Sequence, residues 1–326
     1  MAGREGSAAP APGIGIDLEP VPILVVVPAI TATHFTDPAC PWAYSFRPAY
    51  ARLRWRFGDQ IEWRLVLIGL SESGEAYERR GYTPDRQLAT QHRFSKRFGM
   101  PFSFERKPRV AGTSRACRAI VAAREEDPAL GEAALRALQF LQFTTPGVLD
   151  DDDDLRAMLA TVPGLDAESI VARIDTPEIV ELYEADRARA RSADGTPTHV
   201  QDRHSTSDGP VRYTAPSVLF EQDGRGFEVG GFQPFEAYDT ALANLDPSLE
   251  RRPAPADLVE ALAAFPEGLT TAEAASVMRP SDLTDADLEG TAGELAVLEA
   301  AGDVVKEPRG VDAIWRAAAV AASQAA

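Results

Sequence analysis

Cysteine and histidine are scarce in this sequence, whose 326 residues include two cysteines and four histidines. Two cysteines cannot build a disulfide-rich secreted scaffold or a cysteine-rich zinc site. Four histidines leave little material for a metal centre made of several imidazole ligands. We therefore predict no metal site and no tightly bound cofactor. The functional question becomes whether either cysteine is reactive.

Basic residues are also in deficit. The 33 lysines and arginines face 50 aspartates and glutamates, which gives a formal net charge of −17. A protein that relies on phosphate neutralisation to bind nucleic acid needs a basic surface, so the sequence argues against a nucleic-acid partner. The hydrophobic content of 44% and charged content of 25% are typical of a soluble globular protein.

Long hydrophobic runs are missing as well. The apolar stretch Pro22–Ile30 is short, whereas a helix that crosses a bilayer takes about 20 residues. Asp17 and Glu19 precede this stretch, which is a poor order for a signal peptide. We predict a disordered leader at residues 1–29, a cytoplasmic location and no membrane contact.

The pattern of apolar residues predicts two strand-forming regions that flank a helical region. The helical region has apolar residues at helical spacing over Thr113–Glu126, Glu132–Phe143, Asp153–Thr161 and Pro177–Arg191. The strand-like segments are short, apolar or β-branched, and bounded by turn residues. These segments are Ile30–Thr36, Ile61–Ile68, Pro216–Glu221 and Gly226–Gly231. This order predicts an α/β domain made of residues 30–74 and 205–246, with a helical insertion at residues 75–204.

A proline-rich linker at residues 247–255 is predicted to end this domain. Residues 256–326 follow as three helices and a β-hairpin, which resemble a small winged-helix-like α+β module. Thr270 or Thr271 with Glu273 just downstream is a helix-capping signal. Thirteen acidic residues against four basic ones from Pro253 onward would repel phosphate. We therefore predict that this module serves packing, homo-oligomerisation or contact with a protein partner.

The first cysteine lies where the first strand passes into a helix, within Asp37–Tyr44 (Asp-Pro-Ala-Cys-Pro-Trp-Ala-Tyr). At a helix N-terminus, free N–H groups and the positive end of the dipole favour the thiolate and lower its pKa. Pro41 fits the first helical turn, where its missing N–H costs nothing. The alternative is a buried cysteine that only fills space. We favour a nucleophilic Cys40.

Two aromatic residues near this cysteine are also candidates. His34 lies six residues before Cys40 and would tune the thiolate if its ring were charged; strand alternation equally allows it to point elsewhere. Trp42 would shape the site as an aromatic wall or would serve packing alone.

The segment Asp37–Tyr44 resembles the active-site motif of DsbA-family thioredoxin-fold proteins, in particular the FrnE-like branch with its D-P-x-C-P-W-C. Tyr213–Phe220 resembles the family segment that holds a cis-proline before a central strand. Val229–Pro234, followed by a helix over Phe235–Leu245, resembles the family's closing hairpin and last helix. The resemblance covers about residues 30 to 246.

This resemblance implies a thioredoxin-like fold with an inserted helical domain and a thiol-active site at Cys40. It places Pro216 opposite the cysteine and makes Pro41 and Trp42 part of the substrate surface. It also implies that the backbone of Ala215 offers substrate a strand-like pairing edge.

One departure from the family motif limits the chemistry. The family has a second cysteine at the fourth position of C-x-x-C, where this sequence has Ala43. Cys117 is the only other thiol, and it lies in the middle of a predicted helix on its apolar face, which favours a core role. Without a local resolving thiol, an external one, glutathione or mycothiol, must release Cys40 from a mixed disulfide.

Three functions therefore stay open. The first is a DsbA-like oxidoreductase in which Cys40 alone attacks a disulfide, or another electrophile on sulfur or carbon, and an external thiol completes turnover. Its partner is then a small-molecule thiol or disulfide. The second resembles kappa-class glutathione transferases and 2-hydroxychromene-2-carboxylate isomerases, whose Asn-Thr pair corresponds here to Gly112-Thr113, so Thr113 becomes a candidate substrate contact. The third is a non-catalytic binding protein that has kept the fold.

Overall fold

The structure, a computed structural model, describes residues 1, 3 and 30–324. The leader predicted at residues 1–29 therefore lies almost wholly outside the described residues. In the described part of the chain the strands are β1 (Ile30–Thr36), β2 (Ile61–Leu67), β3 (His204–Ser205), β4 (Arg212–Tyr213), β5 (Ser217–Gln222), β6 (Arg225–Val229), β7 (Leu269–Thr270), β8 (Val304–Arg309) and β9 (Asp312–Ala317).

The helices of the same part of the chain are α1 (Pro41–Ser45), α2 (Arg47–Phe57), α3 (Gly74–Arg79), α4 (Pro84–Phe98), α5 (Ser114–Glu126), α6 (Pro128–Thr144), α7 (Asp152–Leu159), α8 (Ala167–Arg173), α9 (Pro177–Ala190), α10 (Pro197–Val200), α11 (Phe235–Leu245), α12 (Leu258–Ala263), α13 (Thr271–Met278), α14 (Leu288–Ala301) and α15 (Ala318–Gln324). A short 3-10 turn, Gly58–Gln60, joins α2 to β2. None of these described helices is both long and apolar enough to cross a bilayer.

The central sheet has the strand order β2-β1-β5-β6. β1 runs parallel to β2, with Ile30 opposite Ile61, and antiparallel to β5, with Phe35 opposite Ser217. The four predicted strands are present, although β5 begins one residue after Pro216 because proline cannot donate to the ladder. This register places the end of β1 beside the start of β5, which brings together two chain segments far apart in sequence.

Helices cover both faces of the sheet. On one face α2 and α11 bury a core with Phe46, Tyr50 and Phe220 at its centre. On the other face α5, α6 and α9 of the helical insertion pack on β2. The predicted helices are present in this insertion. α6 begins four residues earlier than predicted, because Asp127 caps its N-terminus and Pro128 occupies the first turn.

The C-terminal residues form four described helices, α12 to α15, one more than predicted, and a sheet in the order β7-β9-β8. The predicted capping signal is confirmed as a capping box between Thr270 and Glu273 at the start of α13. The proline-rich segment lies against the preceding domain, since Trp55 of α2 donates to the carbonyl of Pro253. Trp55 also shares a core with the C-terminal helices. The C-terminal module is therefore packed on α2.

Candidate active site around Cys40

Cys40 occupies the N-cap position of α1, directly after the turn that follows β1. Its N–H donates to the carbonyl of Asp37 at 3.2 Å, and Pro41 stands in the first turn of the helix. The proline supplies no N–H there, and the helix loses nothing by it. Only 8% of Cys40 is exposed. The local sequence thus fixes a thiol at a helix terminus, but in a nearly buried position.

The second part of the site is the loop that precedes β5. The peptide bond between Ala215 and Pro216 is cis, as the resemblance implied. The thiol of Cys40 donates to the carbonyl oxygen of Ala215 at 3.1 Å. Because β5 pairs with β1, Cys40 and Ala215, 175 positions apart, meet at one end of these two strands.

Burial dominates the electrostatics of Cys40. It raises the pKa of the thiol to about 11, and the nearby carboxyl of Asp37 acts in the same direction. The backbone amides of Ala43 and Trp42 and the guanidinium of Arg212 lower the pKa, but by less. The expectation of a pKa lowered by the helix terminus is therefore wrong for this arrangement, since desolvation of the charged form outweighs the helix N–H groups. Cys40 rests as a neutral thiol.

Alkylation of Cys40 should therefore show no plateau at neutral pH. Because the thiolate fraction rises about tenfold per pH unit below the pKa, the rate with iodoacetamide should climb steadily from pH 7 to pH 10. Single-site rates measured on the Cys117→Ser protein, with Cys40→Ser as the blank, test this. A rate that levels off below pH 8 would show that the helix terminus prevails over burial.

Trp42 and Pro41 form the exposed lip of the site. Trp42 is 38% exposed, and its ring makes edge or tilted contacts with Phe94, Phe98 and Phe232 at centroid distances of 4.8, 5.8 and 5.3 Å. These aromatic rings come from α4 in the insertion and from the turn after β6. Trp42 thus packs against its neighbours and leaves part of its side chain exposed, and its role as a wall of the site stays a prediction.

His34 is not placed to tune the thiol. Its ring is buried among Phe46, Tyr50 and Trp63, with centroid distances of 5.4 to 6.4 Å. Burial, helped by the charge of Arg47, lowers the pKa of His34 to about 3. The imidazolium that the tuning role requires is therefore absent at neutral pH. The reason is strand alternation, which turns this side chain into the core under α2.

A residue that the sequence reasoning did not single out, Asp37, connects the site to the insertion. Its carboxylate accepts from the N–H of Leu70, the hydroxyl of Thr113 and, at 3.7 Å, the thiol of Cys117. Burial raises the pKa of Asp37, and these donors oppose the rise. The sequence signal for Asp37 was its position in the Asp-Pro-Ala-Cys motif. A carboxylate buried this close to Cys40 needs several hydrogen-bond donors.

The structure does not bring Thr113 to a substrate surface. Thr113 is fully buried as the residue before α5, and its hydroxyl is bonded to Asp37. Gly112 has no room for a side chain, because a Cβ there would lie 2.8 Å from the carbonyl oxygen of Glu72. Thr113 therefore contacts Asp37 rather than an exposed surface, and its role as a substrate contact stays a prediction. Cys117 is fully buried, in accord with its predicted core role.

Comparison with protein families agrees with this geometry. The model of the DSBA-like thioredoxin domain matches residues 31–215, which run from β1 to the residue before the cis-proline. The chain belongs to the DSBA-like thioredoxin family. Within the matched region, a cysteine stands at the N-cap position of α1 and Ala43 follows it three residues later, and the match ends at the residue before the cis-proline.

Relatives of this DsbA-like chain include proteins with different names. A curated ClpXP adapter protein, SpxH of Shouchella clausii, is 25% identical over an alignment of 264 residues that covers 78% of each chain. The crystal structure of a putative protein disulfide isomerase from Nitrosomonas europaea has a TM-score of 0.50 at 16% identity, covering 66% of this chain and 96% of that one. That likeness shows the fold. The structure of a cytosolic disulfide reductase, DsbM of Pseudomonas aeruginosa, has a TM-score of 0.46 at 20% identity. The match covers 66% of this chain and 99% of that one.

Proposed function

We propose that the protein is a DsbA-type thiol–disulfide oxidoreductase that works with a single cysteine. The observation that supports it most is the 3.1 Å contact between the Cys40 thiol and the Ala215 carbonyl. This contact sets the sulfur beside the backbone edge that a bound peptide or thiol would use. The backbone amides of Trp42 and Ala43 lower the pKa of this thiol and would stabilise a thiolate once it forms.

The proposed cycle has two exchange steps. Cys40 loses its proton and attacks one sulfur of a disulfide R–S–S–R′, which forms a Cys40–S–S–R bond and releases R′S⁻, and this leaving thiolate takes up the proton. An external thiol R″SH then attacks R–S, which restores the Cys40 thiol and yields R–S–S–R″. No net oxidation occurs on the protein, so a low-molecular-weight thiol such as glutathione or mycothiol suffices as cosubstrate.

Because the pKa of Cys40 is raised, we infer that substrate binding helps to activate its thiol. At rest the thiol proton is shared with the Ala215 carbonyl, and burial disfavours the thiolate. A substrate backbone that pairs with Ala215 would compete for that carbonyl and would change the solvation of the sulfur. We therefore infer that Cys40 reacts after substrate has docked on the lip formed by Pro41 and Trp42, rather than as a freely reactive thiolate.

Mixed-disulfide formation tests the proposal. The wild-type protein incubated with oxidised glutathione or mycothiol disulfide should gain one thiol adduct, mapped to Cys40 by mass spectrometry and reversed by the free thiol. Cys40→Ser should gain none. The matched control, Cys117→Ser, should retain the adduct. An adduct found only on Cys117 would contradict the proposal, whereas a thiol bound without a covalent bond would favour the transferase or isomerase alternative.

A second candidate is a binding protein in which Cys40 is structural. The observation that favours it is the extent of the match to the adapter SpxH, 264 residues, which is longer than the matched thioredoxin region. The C-terminal module, with its winged-helix-like pattern and acidic surface, would then contact a protein partner. In this case neither cysteine forms an adduct in the native protein, and the same experiment separates the two candidates.

A further inference from the structure

A large cavity lies away from Cys40, between the insertion, the sheet edge at β2 and the C-terminal module. Its volume is about 890 Å³, which falls within the range of about 300–1,000 Å³ usual for small-molecule sites. Cys40, Trp42 and Pro216 do not line it. Its position at the junction of three parts of the fold is one where ligand sites are common.

The floor of the cavity is apolar and aromatic. Tyr50 of α2, Trp63 of β2 and Phe140 of α6 contribute their rings, and Ile314 of β9 closes the side formed by the C-terminal module. Ala133 on α6 also lines the space and is small enough to keep it open. A ligand with an aromatic or branched apolar body would therefore find matching contacts here.

The charge of the lining is opposite to that of the whole protein. Eight arginines and five carboxylates line the cavity, although the chain carries a net charge of −17. Arg64 and Arg189 stand at the mouth, since about half of each side chain is exposed. Each of the eight arginines lies within 4.0 Å of a carboxylate. The pairs of Arg64 and Arg189 are the solvent-exposed ones, and exposed ion pairs are weak, so an anionic group of a ligand can compete for these two guanidinium groups.

Five buried polar atoms of the lining residues lack hydrogen-bond partners. They are the Oε2 of Glu132 and the Nε atoms of Arg47, Arg136, Arg309 and Arg316. Arg136 is more than nine-tenths buried, and Arg136 and Glu132 lie one turn apart on α6 and line the cavity. Buried polar atoms are usually satisfied, so unpaired donors and an unpaired acceptor among the lining residues favour a ligand that completes them.

We propose that this cavity is a second binding site, for a small organic anion that has an apolar, aromatic body and a hydrogen-bond donor. The anionic group lies toward Arg64 and Arg189, the body rests on Tyr50, Trp63 and Phe140, and the donor meets Glu132.

A fluorescent probe with these features is 8-anilinonaphthalene-1-sulfonate, which joins a sulfonate, two aromatic units and one N–H. Its uncharged counterpart, N-phenyl-1-naphthylamine, lacks the anionic group. The wild-type protein should bind the sulfonate more tightly than the neutral probe. Ala133→Trp, which fills the cavity, should weaken sulfonate binding by about tenfold or more.

Charge reversal provides a test that does not depend on the core. Arg64→Glu should weaken binding of the sulfonate by about threefold to tenfold and leave the neutral probe unaffected. The matched control is Arg106→Glu, because Arg106 has a similar side-chain exposure of 52% against 55%, also pairs with a neighbouring acid, and does not line the cavity. Its binding should equal that of the wild type.

Three outcomes would overturn the proposal. Sulfonate binding that Ala133→Trp leaves unchanged in a folded protein would place the probe elsewhere. Equal losses of sulfonate affinity in Arg64→Glu and Arg106→Glu would show that the effect comes from the overall charge of the protein and not from this cavity. Equal affinity for the two probes would show a cavity without anion preference. If Ala133→Trp does not fold by circular dichroism, the comparison of the two arginine variants decides.

Discussion

Replacement of Glu273 by alanine should lower the free energy of unfolding by about 3–5 kcal/mol, because it removes one partner from a buried ion pair. Arg136 donates to both carboxylate oxygens of Glu273, at 2.5 and 2.8 Å, and Arg47 lies 3.5 Å from the same carboxylate. All three side chains are at least nine-tenths buried. In the variant, the guanidinium groups of Arg136 and Arg47 stay buried but lose the carboxylate of Glu273.

Urea unfolding, followed by circular dichroism, measures this loss. The matched control is Glu126→Ala, which removes the partner of Arg173 from a pair about one third exposed, and should cost less than about 1 kcal/mol. If Glu273→Ala proves no more costly than Glu126→Ala, the buried network does not hold the C-terminal module on α2 and α6.

The carboxylate of Glu273 should also make the stability of the folded protein depend on pH in the acid range. Burial would raise the pKa of Glu273, but Arg136 and Arg47 prevail and lower it from 4.5 to about 2. A carboxyl whose folded pKa is depressed contributes stability that is fully present above its unfolded value and is lost as pH falls through the folded value. Wild-type stability should therefore decline between pH 4.5 and 2, and this part of the decline should be missing in Glu273→Ala.

The features predicted from sequence are those encoded within short segments. The strand before Cys40, the proline of the first helical turn and the capping box at Thr270 and Glu273 each depend on residues within a few positions, and the structure contains all three. The loop before Pro216 was found because its motif is equally local. Short-range chemistry of this kind needs no knowledge of what packs above it.

What could not be predicted depends on distant partners. The carbonyl that receives the Cys40 thiol lies 175 positions away, and the loops that bury the sulfur decide the sign of its pKa shift. Arg136 and Glu273 are 137 positions apart. His34 shows the same limit, because the alternation of β1 alone did not reveal that Phe46 and Tyr50 would enclose it.

A second cysteine at position 43 should convert the single-thiol site into a dithiol site. Cys40 and Ala43 belong to the same buried cluster, and the backbone amide of Ala43 lowers the pKa of the Cys40 thiol. Ala43 stands three positions after the N-cap, so its Cβ is about 5–6 Å or less from the cysteine. Small rotations then suffice for disulfide geometry. Ala43→Cys therefore supplies the resolving thiol that the sequence lacks.

The expected result is faster release of the Cys40 adduct. An intramolecular thiol acts at high effective concentration. Release of a preformed glutathione adduct from Ala43→Cys should therefore be roughly a hundredfold or more faster than release from the wild-type protein at millimolar external thiol. Ala43→Ser is the matched control, since it has the size of cysteine without the thiol, and should behave as the wild type. Mass spectrometry follows loss of the adduct and formation of a disulfide between Cys40 and the introduced thiol. Persistence of the adduct in Ala43→Cys for as long as in Ala43→Ser would show that the absent thiol is not what limits turnover, and that Cys40 is held for structure.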